Sequence, residues 1–379
     1  MFSRRDWMKI AGVGAAVPLP AQQALTFPGK HPLLVHNDFP EDLETPAEYF
    51  DSWITPTSKF FVRQHLPRPK VDAANYRLDI SGMVGGPTQL TLDDLKKLPQ
   101  YKVTATLECA GNGRSYFRPR MPGLQWTKGA IGNAEWRGPR IADILKKVGG
   151  AAPAAKYGSF DGADVGVAKT PDFIRSIPVR KLMHQATILA LDMNGEPLPD
   201  LHGAPARLIV PGWDGASWVK WVTKIVLAAE PDAGFYMATA YKYPKYLTPP
   251  GVAPKPQDME TIEGMAVKSF FAKPADQTKV KMGPVSLQGV AWAGEHRVMR
   301  VEVSVDGGAK WQDAKLSPQN LPFVWRLWNF DWTPSKPGYY TACVRATDSA
   351  GRTQPIEAPW NPSGYLWNSI ERVSVLVEA

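Results

Sequence analysis

Thr104-Ala105-Thr106-Leu107-Glu108-Cys109-Ala110-Gly111-Asn112-Gly113-Arg114 is the stretch on which the reading of this chain turns. Val103 to Leu107 is rich in β-branched and apolar residues and predicts a short strand that ends at a polar turn. The turn delivers a cysteine, then small or turn-prone residues, then an arginine. A cysteine on a loop of little side-chain bulk admits a large ligand close to its sulfur, and the glycines let the backbone wrap that ligand. Arg114, five residues on, sets a permanent cation nearby. The bland alternatives are a buried inert thiol and a disulfide to the second cysteine, Cys343. Cys343 lies in the alternating run Tyr339-Tyr340-Thr341-Ala342-Cys343-Val344-Arg345, which reads as a strand of a separate domain and makes it a small core residue. No Cys-x-x-Cys or His-x-x-x-His spacing supports a zinc site.

Working outward, 379 residues suffice for two domains, and 14 tryptophans with 11% aromatic content mark a folded protein. The 36 prolines and 32 glycines favour loops and short strands over long helices. The net charge of +8 is scattered, with no dense Lys/Arg run, which argues against nucleic acid as the partner and leaves room for steering an anion. At the N-terminus, Ser3-Arg4-Arg5-Asp6-Trp7 precedes the short apolar run Ile10 to Val17. This predicts a twin-arginine signal over residues 1–24, export of the folded protein to the periplasm, and no membrane insertion of the mature chain.

Further along, Glu41 to Asp51 reads as a short helix-forming segment. Ser58 to Pro67 reads as a short strand that places Arg63 and His65 on one face. Thr91 to Pro99 has the form of a capped helix stopped by proline, and Ile141 to Lys146 predicts another. Asp161 and Asp164 fall at a strand end. His202-Gly203-Ala204-Pro205-Ala206-Arg207 is a tight loop entering a strand, and Lys220 follows between Trp218 and Trp221. His202, Arg207 and Lys220 form the cationic set suited to a bound phosphate, or else three unrelated surface cations. Pro244 to Gln257 is the predicted crossover between domains, dividing the mature chain into 25–250 and 251–379. Beyond it, Val285–Trp292, Met299–Val305, Trp325–Phe330, Tyr339–Thr347 and Val373–Val377 predict short strands of an immunoglobulin-like β-sandwich.

Taken together these residues resemble the sulfite oxidase family of molybdenum enzymes, from about Phe60 to the C-terminus. The resemblance rests on Phe61-Val62-Arg63-Gln64-His65, the Cys109 loop, Gly123-Leu124-Gln125-Trp126, Asp192 to Pro199, His202 to Arg207, Val303 to Gly308, and Trp325-Arg326-Leu327-Trp328. It implies an α+β molybdopterin-binding domain followed by an immunoglobulin-like dimerisation domain. It implies Cys109 as the single protein ligand to molybdenum. It implies Arg63, His65, Asp164, His202, Arg207, Trp218, Val219 and Lys220 as holders of the molybdopterin, and Arg63, Arg114, Trp126 and Tyr241 as residues of the catalytic pocket. The implied reaction is oxidation of sulfite, or a related sulfur oxyanion, with electrons passed to an external c-type cytochrome, since the chain carries no haem motif. The implied assembly is a homodimer. Dehydrogenation of carrier-bound sulfane sulfur, methionine sulfoxide reduction and a non-catalytic binding role are the rival readings. One departure stands out: Trp360-Asn361-Pro362-Ser363-Gly364 has serine where vertebrate relatives have a pocket arginine.

Overall fold

The computed structural model describes residues 26–379; the predicted twin-arginine segment lies outside them. No helix among these residues is long and apolar enough to cross a membrane.

The first part of the chain is mixed. A five-stranded sheet runs in the order Thr88–Thr91, Arg77–Gly82, Val222–Ala228, Tyr157–Gly162, Arg175–Pro178, with only the pairing of Arg77–Gly82 to Val222–Ala228 parallel. A second sheet pairs Tyr101–Glu108 with Ile131–Gly138 along their full lengths. Short helices flank the sheets. Leu92–Lys97 starts at a reciprocal box in which the Thr91 hydroxyl accepts from the Asp94 amide while Asp94 accepts from the Thr91 amide. Ile141–Lys147 buries Ile141, Ile144 and Leu145 at helical spacing. One apolar core spans this part, from Phe60 to Ile262.

The second part is a two-sheet sandwich. One sheet holds Lys268–Lys273, Val285–Trp292, Arg326–Trp332 and Lys315–Leu316; the other holds Thr278–Lys281, Glu371–Glu378, Gly338–Asp348, Val298–Ser304 and Gln312–Asp313. Leu287, Val301, Val344 and Val375 fill the space between them. The predicted strands of this half are all present, each within a few residues of its predicted limits, because each is a run of β-branched, aromatic and apolar residues bounded by turn residues.

A third core joins the two halves: Phe50, Phe117 and Ile131 of the first meet Phe270, Trp292, Trp325 and Trp367 of the second. Lys268–Lys273 explains how. Its alternate residues face opposite ways, so Phe271 enters the sandwich core while Phe270 enters the joining core, and Lys268 to Ala272 are all buried.

Two local expectations are corrected. Glu41 to Asp51 is a strand, Glu41–Glu44, then a single turn at Ala47–Tyr49. Its acids are inward because each has a partner: Glu41 with Arg68, Asp42 with Arg63, and Glu44 with His36 and the amides of Thr127, Lys128 and Gly129. Ser58 to Pro67 is not a sheet strand. After the turn Thr57–Lys59 the chain runs extended, pinned by the single bridge Val62 to Leu43.

Candidate active site

Cys109 follows directly on the strand Tyr101–Glu108. Its amide donates to Ala130 O at 2.9 Å and its carbonyl accepts from the Asn112 amide at 2.8 Å, which closes the turn. Gly113 adopts φ +89°, and a Cβ there would lie 2.9 Å from the Trp367 ring, so both backbone and space require glycine. Cys109 and Cys343 are both free, buried thiols.

Cys109 lines a cavity that also takes Arg63 and His65 from the extended segment, Asp164 from the turn after Tyr157–Gly162, His202 and Arg207 from their loop, and Trp218, Lys220 and Tyr241. The structure thus brings nine of the sequence-predicted residues to one cavity. Val219 is buried beside it, without lining it. Trp126 is fully buried, edge-on to His36 at 4.7 Å, and likewise does not line it. Arg114 lies just beyond the cavity wall. Its Nε donates to Ser363 O and its Nη1 to Leu124 O, both at 3.1 Å, and its guanidinium sits 5.0 Å from the Tyr365 ring centre.

The charges are held under stress. Burial pulls the Lys220 ammonium far below its ordinary pKa, with Arg207 adding to the effect and Asp164 opposing it; Nζ has no hydrogen-bond partner. Burial lowers Arg207 to about 9, and its Nε is likewise unpartnered although Nη1 donates to His202 O. Burial keeps His202 neutral, and its Nε2 accepts from Lys30 Nζ at 2.6 Å. Lys30 is itself lowered to about 7 by burial. Burial raises Asp164 to about 6. Burial also works against the Arg63 cation, yet Asp42 at 3.1 Å, Tyr241 and Cys109 hold its pKa above the usual value. His65 Nε2 lies 2.6 Å from the Tyr241 hydroxyl. Burial drives His65 down and Tyr241 well up, so at neutral pH the phenol donates and the imidazole accepts.

Sequence reasoning missed several contributors. Lys30 and Asp42 come from far up the chain, and only their burial in a described fold reveals them. Gln64 lies between two predicted residues and leaves both side-chain atoms unpartnered at the cavity. Tyr365 comes from the sandwich half and stacks on Tyr241 at 5.4 Å and 15°. The signal for it was present, two residues beyond the missing arginine.

A cysteine thiol, unpartnered cationic nitrogens and an unpartnered amide in one cavity define a site for a large anionic cofactor with hydrogen-bonding edges. This is the donor set of a molybdopterin oxidoreductase: a thiol for the metal, guanidinium and ammonium groups for a phosphate, and an amide for a pterin edge. Residues 65–236 match the oxidoreductase molybdopterin binding domain model and residues 259–378 the Mo-co oxidoreductase dimerisation domain model. The chain is 36% identical to mitochondrial sulfite oxidase of Rattus norvegicus, over 92% of this chain and 67% of that one. It is 33% identical to sulfite oxidase of Arabidopsis thaliana, over 91% and 94%. Among solved structures, the sulfane dehydrogenase SoxCD from Paracoccus pantotrophus aligns with TM-score 0.79 and 29% identity, over 97% of this chain and 96% of that one. The chain belongs to the sulfite oxidase family of molybdenum-cofactor oxidoreductases.

Proposed function

We infer that this protein oxidises sulfite to sulfate, SO3²⁻ + H2O → SO4²⁻ + 2H⁺ + 2e⁻, and passes the electrons to an external acceptor. The observation that carries the reading is the meeting of Cys109, Arg63 and the His65–Tyr241 pair at one cavity, in a chain 36% identical to a sulfite oxidase. When bound, the molybdenum cofactor supplies a two-electron redox centre that acts on sulfur.

The chain's own residues do the rest. Cys109 holds the metal through sulfur. Burial raises its thiol pKa while Arg63 and Arg114 lower it, and a metal ion favours the thiolate outright. Lys220, Arg207 and His202 take the phosphate end of the cofactor, which gives their unpartnered nitrogens the anion they lack. Arg63, kept charged by Asp42, orients the sulfite oxygens, and Arg114, fixed by two carbonyls just beyond the wall, adds its positive charge from behind. Tyr241 keeps its proton at the hydroxyl and donates it in the short hydrogen bond to neutral His65, because burial disfavours both the phenolate and the imidazolium. The aromatic walls, Phe173 stacked on His65 at 4.4 Å and Tyr365 on Tyr241, keep bulk water off that bond. The acceptor is a c-type cytochrome in the periplasm, reached by twin-arginine export, and the sandwich domain joins two copies.

The test is a steady-state assay of molybdenum-loaded protein with sulfite, using ferricyanide and then cytochrome c. Turnover with both, abolished in Cys109→Ser, is the expected result. A Cys109→Ser variant with full molybdenum and normal turnover would refute the ligand assignment. A second reading, oxidation of carrier-borne sulfane sulfur, is favoured by one observation: serine at position 363 and Tyr365 two residues on leave the pocket one fixed cation short. Loaded protein that ignores sulfite but oxidises a persulfidated carrier would establish it.

A further inference from the structure

Beside Cys109 lies a charge pair that the proposed chemistry does not use. Glu108 is 2% exposed and Lys268 is fully buried, and Lys268 Nζ donates to Glu108 Oε1 at 2.6 Å. The same carboxylate accepts from Asn112 Nδ2 at 3.1 Å and, through Oε2, from Trp292 Nε1 at 2.9 Å. Glu108 and Asn112 flank Cys109 within its own loop. Lys268 and Trp292 belong to the sandwich, on adjacent paired strands where Lys268 lies opposite Trp292. The carboxylate therefore spans the joint between the two halves.

Two buried charges are costly to desolvate, and apolar residues of the same volume would hold the joint at least as well. Stability alone does not explain a pair placed next to the cysteine. Its geometry does. A carboxylate with three donors in fixed directions sets the direction in which the strand Tyr101–Glu108 hands over to the Cys109 turn, more tightly than apolar contact could. Two further contacts tie the same turn to the sandwich: the Leu366 amide donates to Ala110 O at 2.9 Å, and Arg114 donates to Ser363 O.

We propose that Glu108 and Lys268 are positioning residues: through this pair the sandwich domain fixes the loop that presents Cys109 and so sets the geometry of the metal's protein ligand. The proposal rests on the reading of Cys109 as that ligand. It also gives the second domain a part in the site that is separate from joining two copies.

The test compares molybdenum-loaded wild type with the neutral double variant Glu108→Gln/Lys268→Met, which removes both charges and leaves neither unpaired. Two readouts are followed: the first-order rate of molybdenum loss on dialysis, and the electron paramagnetic resonance spectrum of the Mo(V) state. Loss of orienting contacts behind a metal ligand weakens holding by about 10- to 100-fold. The expected result is loss at least tenfold faster, with a shifted spectrum. A folded double variant with wild-type loss rate and spectrum overturns the proposal. Where that variant does not fold, Trp292→Phe serves. It keeps both charges and removes only the indole donor. The expected change is smaller and in the same direction, and an unchanged spectrum and loss rate overturn the proposal. Cys109→Ser is the control: an unchanged Mo(V) spectrum there sinks the ligand reading itself, a different failure from an unchanged spectrum in the double variant alone.

Discussion

Tyr365 stands close to where the family's pattern has its pocket arginine, and its removal tests how the pocket works without that cation. Its ring stacks on Tyr241 at 5.4 Å and receives the Arg114 guanidinium at 5.0 Å. Tyr365→Ala removes both contacts. A stacked aromatic pair contributes about 1 kcal/mol beyond its buried area, and a cation over a tyrosine ring contributes about 1 kcal/mol where it is partly desolvated. If both act on substrate-holding geometry, the loss is about 2 kcal/mol, or about 30-fold in kcat/KM at 1.4 kcal/mol per tenfold. Arg114 keeps its two carbonyl partners, so the guanidinium loosens without leaving, and the fall should lie between about 5- and 30-fold, most of it in KM. Tyr365→Phe keeps the ring and should stay within about threefold of wild type, since the argument rests on the ring face. The assay is steady-state sulfite oxidation at matched molybdenum content, with melting temperature recorded for each variant. Wild-type kcat/KM in Tyr365→Ala would refute the reasoning, as would equal losses in Ala and Phe.

Lys220→Met should change sign with the cofactor. In cofactor-free protein it removes a buried, unpartnered ammonium and should raise the melting temperature; in loaded protein it removes a phosphate partner and should lower it. Calorimetry of the four samples decides, and a fall in both forms would refute the assignment. Asp214→Asn tests a pH effect. Asp214 is fully buried and accepts from the Ala216 amide at 2.8 Å, and burial raises its pKa to about 6. A carboxyl raised on folding costs stability in full above pH 6 and progressively less as pH falls toward its ordinary value. Asn keeps the capping oxygen without the charge. The variant should therefore melt higher than wild type at pH 8, with the gap narrowing at pH 5; a gap that widens at pH 5 would refute the sign.

The sandwich half was legible strand by strand because each strand is a β-branched and apolar run bounded by turn residues, a signal that survives where the limits shift by a residue and where, as in Val285–Trp292, both faces are buried. The segments misread lie where charge goes inward. Glu41-Asp42-Leu43-Glu44 has the composition of a helix start or a solvated turn, yet all four residues are buried in a strand. Nothing local announces that Arg68, Arg63 and the amides of residues 127–129 wait for those acids. Arg63 and His65 were read as sharing one face of a short strand; both reach the cavity, but so does Gln64 between them, and the segment is not a sheet strand. Both side chains reach the cavity because the backbone there is extended, and extension does not require sheet partners.

The site divides along the same line. Cys109, His202, Arg207 and Lys220 were legible because each sits in a short motif whose residue types suit a bound anion or metal. Lys30, Asp42 and Tyr365 were not, because each acts on a motif residue from a distant part of the chain. Lys30 fixes the lone pair His202 has left, Asp42 keeps Arg63 charged, and Tyr365 backs Tyr241 and Arg114. A motif records the groups that touch the ligand, since their spacing is set by the ligand. The groups that orient them are set by the fold, and here the fold supplies them from both ends of the chain. It follows that residues which tune this site are to be sought at the joint between the two halves, where Glu108 meets Lys268 and Arg114 meets Ser363, as much as in the cavity itself.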